Sequence, residues 1–143
     1  MIRNAVKTDV NAIRLLLIQL GYPVNTIDLE KQLETVGTHQ DHQVLVYEMN
    51  SKVVGFIAIY FVPSLAIDDA LAVVNYLAVD EKHIGHGIGK ALEQEAEKLA
   101  WDRQCDRIQV HYQLHREKAH GFYKSRGYQE YPVLYQKRLI YAE

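Results

Sequence analysis

Three glycines fall within five residues in the segment HIGHGIGKAL, residues 83–92. Apolar residues then recur at helical spacing, so a helix is expected to begin near Ile88. The first N–H groups of a helix have no partner within it and lie at the positive end of its dipole. A loop without side chains lets an anion approach these groups closely. We therefore predict that the N–H groups of Gly85–Lys90 hold a phosphate or pyrophosphate, with Lys82 and Lys90 adding positive charge.

The glycine segment fits a simple turn or a nucleotide-binding motif less well. A tight strand-to-helix turn could need glycine for a positive φ, but one glycine would suffice. The Walker phosphate loop requires a hydroxyl residue after its lysine, whereas Ala91 follows Lys90 here. The dinucleotide-binding fingerprint opens a βαβ unit, whereas this segment follows the third of three consecutive predicted strands. Anion binding by main-chain groups is therefore the preferred interpretation.

The elements that position this segment are predicted from hydrophobic periodicity. A short strand, IRNAV, precedes a first helix that Thr8 is expected to cap. A second helix is expected from about Thr26, with Gly37 stopping it. Three strand-like runs follow, HQVLVYEM, KVVGFIAIYFV and LAVVNYLAV, and Asn50-Ser51 predicts a hairpin between the first two.

Beyond the helix that follows the glycines, the run RIQVHYQL alternates apolar and polar residues and predicts a half-buried strand. The run REKAHGFYKSRGY predicts a helix that Gly127 ends, and VLYQKRLIY predicts a last strand. The order βααβββαβαβ indicates an α/β domain with a mixed sheet. We expect a single domain spanning residues 1–143.

Composition excludes several classes of function. The chain has 143 residues and a formal net charge of −2, without the basic stripe typical of nucleic-acid binding. No apolar run approaches the roughly 20 residues that cross a bilayer, and the N-terminus lacks the apolar core of a signal peptide. Cys105 is the single cysteine, which fits a reducing compartment. We expect a cytoplasmic protein that binds neither nucleic acid nor membranes.

Two motifs in their structural context make the chain resemble the GNAT superfamily of acyl-CoA-dependent N-acetyltransferases. The family pattern is a strand ending in L-x-V, followed by [QR]-x-x-G-x-[GA] at a helix start. The segment NYLAVDEKHIGHGIGKAL supplies Leu77, Val79, Gly87 and Gly89 in register. A second family pattern, A-x-x-[FL]-Y-x-x-x-G-[FY], is met by Ala119, Phe122, Tyr123, Gly127 and Tyr128. The chain departs from the family at Ile84, where Gln or Arg is usual, and at Arg116, where Asn is common.

The resemblance implies a GNAT-like fold, with a central mixed, mostly antiparallel sheet flanked by helices, and acetyl-CoA as co-substrate. Its pyrophosphate would rest on the glycine segment. Its pantetheine arm would lie along the Leu77–Val79 strand like an added strand, in a gap where the sheet splays. The implied cofactor-binding residues are Leu77, Ala78, Val79, Ile84, Gly85, His86, Gly87, Ile88, Gly89 and Lys90.

The resemblance also implies direct attack of a primary amine on the thioester. A backbone N–H near Leu77–Val79 would stabilise the oxyanion. Tyr123 matches the general acid that assists the departing thiolate. The alternative interpretation is that Tyr123 is only an aromatic residue of the core. The strand LAVVNYLAV contains no carboxylate to act as base. His111 is the first candidate, because histidine titrates near neutrality, and a water relay is the main alternative.

The remaining histidines, the cysteine and several tyrosines are weaker candidates. His111, His115 and His120 lack the spacing and carboxylate partners of a metal site, so no metal is expected. Cys105 lies beside Asp102 and Asp106, which would raise the pKa of its thiol and argue against a nucleophile. In such a fold, tyrosines of the first interhelical loop and the last strands would line a slot for a small-molecule or peptide amine; they are Tyr22, Tyr131 and Tyr135.

Three alternatives remain open from the sequence. Homodimers are common in the family, so a homodimer is one expectation. An acyl-CoA-binding regulatory module without turnover would also explain the motifs, given the missing carboxylate and Ile84. A phosphate-loop nucleotide enzyme is the more distant rival.

Overall fold

The computed structural model of the protein describes residues 1–66, 69–111, 117–130 and 135–139. These residues belong to two compact units, Met1–Tyr112 and Gln113–Glu143. Among these described residues, the first unit contains the sheet and three α-helices, and the second contains one α-helix. The single domain expected from the sequence stays a prediction.

A five-stranded sheet with strand order β1-β2-β3-β4-β5 forms the centre of the first unit. Its strands are β1 (Ile2–Asn4), β2 (His42–Met49), β3 (Lys52–Pro63), β4 (Ala70–Val79) and β5 (Arg107–Val110). The first four strands pair antiparallel in sequence order, and β5 pairs parallel to β4. The predicted mixed, mostly antiparallel sheet is confirmed.

Four helices accompany the strands in chain order. They are α1 (Val10–Gln19), α2 (Thr26–Gly37), α3 (Ile88–Asp102) and, in the second unit, α4 (Glu117–Ser125). Asn25 caps α2, because its side-chain oxygen accepts the Asp28 N–H at 2.8 Å. The second helix therefore begins at Thr26 as its sequence predicts.

The predicted Thr8 cap of the first helix is wrong. Residues Lys7–Asp9 form a 3-10 turn before α1, and no side chain caps α1. The cause is Asp9, whose carboxylate accepts the Val6 N–H at 2.8 Å and is held by Arg3 through contacts of 2.8 and 3.0 Å. This pair fixes the chain between β1 and α1.

Two apolar clusters cover the two faces of the sheet. On one face, α3 packs through Ile88, Leu92, Ala96 and Ala100. On the other face, α1 and α2 pack through Val10, Ile13, Leu16, Leu17 and Leu29. Helix α3 therefore lies across the sheet from α1 and α2, and its first residue is part of the core.

The turns agree with the sequence, but the chain end does not. Asn50 and Ser51 have φ values of 52° and 65°, as a two-residue hairpin turn requires. The run VLYQKRLIY is described only at residues 135–139, which are exposed and carry no regular secondary structure. The predicted last strand is wrong for these residues, because no described strand pairs with them; the remainder of the run lies outside the described residues.

Candidate active site

Strand β4 contains one extra residue in its middle. Val74 pairs with Ile59 and Tyr76 pairs with Ala58, so Asn75 is a β-bulge. Ala72 and Val74 before the bulge, and Leu77 and Val79 after it, contact the same cluster under α3. A regular strand could not place residues 74 and 77 on one face. The bulge bends the strand and increases its twist at this point.

Beyond the bulge, one edge of β4 has no described partner. Strand β5 pairs with β4 only from Leu71 to Val74, and the last bond of this ladder runs from the His111 N–H to the Val74 carbonyl at 3.0 Å. The Asp80 N–H donates to the Val54 carbonyl at 2.8 Å. Main-chain groups alternate along a strand, so those of Leu77 and Val79 point away from β3. Among residues 1–66 and 69–111, nothing pairs with this open edge.

The glycine segment forms an uncapped helix start. Gly85 and Gly87 have φ values of 91° and 78°, and Gly87 is the N-cap of α3. No described side chain caps α3, and its first turn has no acidic residue. The N–H groups of Ile88, Gly89 and Lys90 have no intrahelical partner. Ile88 is buried, whereas Gly89 is half-buried and Lys90 is exposed, so the N–H groups of Gly89 and Lys90 are the ones available to an external acceptor.

A close approach between helix and sheet sets the position of this helix start. A Cβ atom added to Gly55 on β3 would lie 3.0 Å from Ile88 Cγ2, 3.1 Å from the Ala78 carbonyl and 3.2 Å from Leu92 Cδ1. Only a residue without a side chain allows Ile88 to approach β3 this closely. Gly55 thus places the first turn of α3 beside the end of β4.

A hydrogen-bonded network holds the loop between β4 and α3. Asp80 Oδ1 accepts from Gln19 Nε2 at 3.2 Å, and Asp80 Oδ2 faces His83 Nδ1 at 3.1 Å. Gln19 Oε1 accepts the Glu81 N–H at 3.0 Å. Burial opposes ionisation of Asp80, but hydrogen bonds from Gln19, Lys82 N–H and His83 outweigh it and lower the pKa of this carboxyl. The carboxylate is therefore ionised and fixed.

An aromatic pair follows α1 on the opposite face of the sheet from α3. The rings of Tyr22 and Tyr76 are 5.3 Å apart and nearly perpendicular. Tyr22 packs against the cluster of α1 and α2, whereas Tyr76 is 37 % exposed. Tyr22, one of the tyrosines predicted for the acceptor slot, therefore contacts the residue directly before Leu77. Tyr135 is exposed in the second unit, and Tyr131 lies outside the described residues.

The sequence of the chain identifies its family. The sequence model described as the acetyltransferase (GNAT) family matches residues 11–128. The chain belongs to the GNAT acetyltransferase family. It is thus an acyltransferase, and GNAT enzymes generally use acetyl-CoA. No curated protein matches this GNAT acetyltransferase in sequence.

Solved structures share the GNAT fold at low sequence identity. A transcriptional regulator from Bacillus halodurans C-125 superposes with a TM-score of 0.90 at 19% identity, covering 97% of this chain and 99% of the other. A GNAT family acetyltransferase of Staphylococcus aureus gives 0.81 at 20% identity, covering 97% and 98%. An aminoglycoside acetyltransferase from an uncultured soil metagenomic sample, solved with sisomicin, gives 0.76 at 21% identity, covering 98% and 96%.

The second GNAT motif forms the end of α4 in the second unit. Gly127 has a φ of 91°, and the Tyr128 N–H donates to the Tyr123 carbonyl at 3.0 Å. This bond is typical of a glycine C-cap. Tyr123 is half-buried, and its ring lies 5.6 Å from that of Tyr128 and 5.3 Å from that of Phe122. The spacing of the motif is therefore explained by the helix end, and the catalytic role of Tyr123 stays a prediction.

His111 directly follows β5 and is exposed. Its N–H closes the ladder to Val74, so this residue lies where the open edge begins. Ile84 is 59 % exposed, and Lys82 in the loop and Lys90 in the first turn of α3 are also exposed. Arg116 lies outside the described residues. All cofactor-binding residues predicted from the sequence lie on one stretch of the first unit, from Leu77 to Lys90.

Cys105 and His120 lie outside this stretch of the sequence. Burial raises the pKa of the Cys105 thiol, with Arg103 lowering and Asp69 raising it, so the predicted direction is right although burial is the main cause. His120 Nε2 lies 3.7 Å from Glu130 Oε1, and His115 is not described. Within the described ranges, no three His, Cys, Asp or Glu residues are grouped to hold a metal, and no helix could span a membrane.

A separate cavity of about 670 Å³ lies beside α2 and β2. Leu33, Val44, His42 and Arg103 are among the residues that line it. No residue predicted for the active site lines this cavity.

Three features of the site were not predicted from the sequence. They are the bulge at Asn75, the close approach of Ile88 to Gly55, and the hydrogen bonds of Gln19 to Asp80 and Glu81. Only the first two left a signal. In LAVVNYLAV, the polar pair Asn75-Tyr76 interrupts the apolar residues, and Gly55 is an isolated glycine in a strand, which often marks a close approach.

Proposed function

We propose that this GNAT protein transfers an acetyl group from acetyl-CoA to a primary amine by direct attack in a ternary complex. One observation carries the proposal: the open edge of β4 and the uncapped start of α3 are joined by the short loop of residues 80–87. The first offers main-chain groups to an extended amide chain, and the second offers N–H groups to a diphosphate. Acetyl-CoA has both chemical features in one molecule.

The described residues fit this ligand. The N–H groups of Gly85–Lys90 would hold the pyrophosphate, and a Cβ at Gly85 or Gly87 would meet nothing within 4 Å, so the loop is open to solvent. Ile84 would contribute its backbone only. Leu77 and Val79 would bind the pantetheine amides, whereas the main-chain groups of Ala78 point to β3.

The reaction needs charge stabilisation at both reacting groups. A Leu77 or Val79 N–H would stabilise the oxyanion. The Tyr123 hydroxyl would donate to the leaving sulfur; full proton transfer in water is uphill by roughly 2 kcal/mol, because tyrosine has a pKa of about 10 and a thiol about 8.5. Its role is therefore to stabilise developing charge. His111, held to Val74 directly after β5, would accept the amine proton directly or through water.

The acceptor is proposed to be a small or peptide amine that approaches past Tyr22 and Tyr76. Aromatic rings favour a cationic or aromatic group nearby. Aminoglycosides form one class to test, because the enzyme solved with sisomicin shares the fold. We further propose a cytoplasmic, single-domain protein that acts as a homodimer.

The test combines binding and turnover. Isothermal titration with coenzyme A should show binding, and ATP should not compete with it; ATP binding alone would favour a nucleotide enzyme. Thiol release from acetyl-CoA is then measured with aminoglycosides, polyamines and peptide N-termini. Release with one class supports the proposal. Binding without release from any amine would favour the regulatory module, and no binding of coenzyme A would overturn the proposal.

A further inference from the structure

The C-terminal end of α1 contacts β4 and its following loop on both sides of the open edge. Tyr22 packs on Tyr76, the residue before Leu77. Gln19 binds Asp80 and Glu81, the residues after Val79. Leu77, Ala78 and Val79 therefore lie between two contacts, one made by Tyr22 and the other by Gln19.

Gln19 is suited to this position because its amide group both donates and accepts. Its Nε2 donates to Asp80 Oδ1 at 3.2 Å, and its Oε1 accepts the Glu81 N–H at 3.0 Å. Carboxylate side chains cannot donate and ammonium groups cannot accept. The amide therefore ties a side chain and a main-chain group of the same loop with one residue.

The contact fixes the point at which the loop leaves the sheet. Asp80 accepts the Lys82 N–H at 3.4 Å and contacts His83, and the His83 carbonyl in turn lies 3.1 Å from His86 Nδ1. A chain of contacts thus runs from α1 to the residue between Gly85 and Gly87. A shift at Asp80 would move the N–H groups that follow.

We infer that Gln19 is a positioning residue for the acyl-CoA diphosphate, acting through Asp80 and Glu81 on the start of α3. The inference rests on the proposed function. Gln19 itself touches no reacting atom and no diphosphate. Its loss is expected to weaken the binding of coenzyme A while the core, to which this exposed side chain contributes nothing, stays folded.

The test compares three variants by titration with coenzyme A. Gln19→Ala should raise Kd about threefold to tenfold, because two hydrogen bonds that order the loop are lost. Gln19→Glu should raise Kd further, since a second carboxylate beside Asp80 repels both that residue and the diphosphate; this extra loss should shrink in high salt. Gln32→Ala, the same truncation at an exposed position of α2, should leave Kd unchanged.

Amide hydrogen exchange measured without ligand provides an independent readout. The Glu81 N–H should exchange faster in Gln19→Ala than in the wild-type chain, at an unchanged melting temperature. Equal Kd values for wild type and Gln19→Ala would overturn the inference, as would unchanged exchange at Glu81. If wild type itself did not bind coenzyme A, the proposed function would fall and the inference with it.

Discussion

Gly87 allows a test of the helix start with a built-in control. Gly87 and Gly37 both lie at helix ends, and a Cβ at either would meet nothing within 4 Å. They differ in conformation, since φ is 78° at Gly87 whereas Gly37 does not have a positive φ. Alanine at either site is therefore sterically accommodated, and only the left-handed backbone separates the two variants.

The expected magnitude follows from this difference. Alanine in the left-handed region costs roughly 1–2 kcal/mol, whereas alanine in a compatible conformation stabilises by about 0.4–1 kcal/mol. Gly87→Ala should therefore lie about 1.4–3 kcal/mol below Gly37→Ala in unfolding free energy, or roughly 3–12 °C in Tm. Gly87→Asn should recover part of the loss, because asparagine tolerates this conformation.

The consequence for binding is measured on the same variants. An alanine that relaxes out of the left-handed region displaces the N–H groups of Ile88 and Gly89, so Kd for coenzyme A should rise about fivefold, the equivalent of about 1 kcal/mol. Titration of Gly37→Ala gives the baseline. Equal stability of the two alanine variants would refute the conformational reasoning. Lower stability with unchanged Kd would refute the diphosphate site instead.

Three further perturbations probe separate parts of the molecule. Gly55→Ala should lose about 1–3 kcal/mol by overpacking, measured by urea unfolding, whereas Gly121→Ala, with open space around its Cβ, should not be destabilised; equal values would disprove the close approach. The hydrogen bond from Arg3 lowers the pKa of the Asp9 carboxyl; it outweighs the effect of burial, and the Val6 N–H adds to it. The ionised carboxylate therefore stabilises the fold fully above the unfolded pKa of about 3.9. This stabilisation is lost as the pH falls through the lower pKa of the folded state. Asp9→Asn should lower the unfolding free energy by about 2 kcal/mol at neutral pH and reduce its fall at acid pH. An unchanged fall at acid pH would show that other groups cause it. Tyr123→Phe should lower kcat while Kd for coenzyme A persists, and an unaltered kcat would make Tyr123 structural.

Local signals in the sequence predicted most of the fold. The runs HQVLVYEM and LAVVNYLAV match β2 and β4 to within one residue, because each is bounded by turn residues or by the glycine loop. The same holds for α2, where Asn25 is the cap. The start of α1 was mispredicted because the Asp9 carboxylate is held by Arg3, a partner on β1 that sequence periodicity cannot indicate.

The site was predicted where it depends on neighbours in sequence and missed where it depends on distant residues. Gly85–Lys90 form a loop and a helix start, both encoded locally. The contact of Gly55 with Ile88 and that of Gln19 with Asp80 join residues more than 30 positions apart. Such pairs are set by packing of α1 and α3 on the sheet, which a single sequence does not specify.

The bulge at Asn75 bears on how chains of different length can share this sheet. The residues on either side of it alternate as though it were missing, since Val74 and Tyr76 pair with adjacent residues of β3. Deletion of residue 75 alone would leave every flanking side chain on its present face of the sheet, so the core could accommodate this deletion. It would also straighten β4. The surplus residue thus bends β4 directly after Val74, the last residue of β4 that pairs with β5.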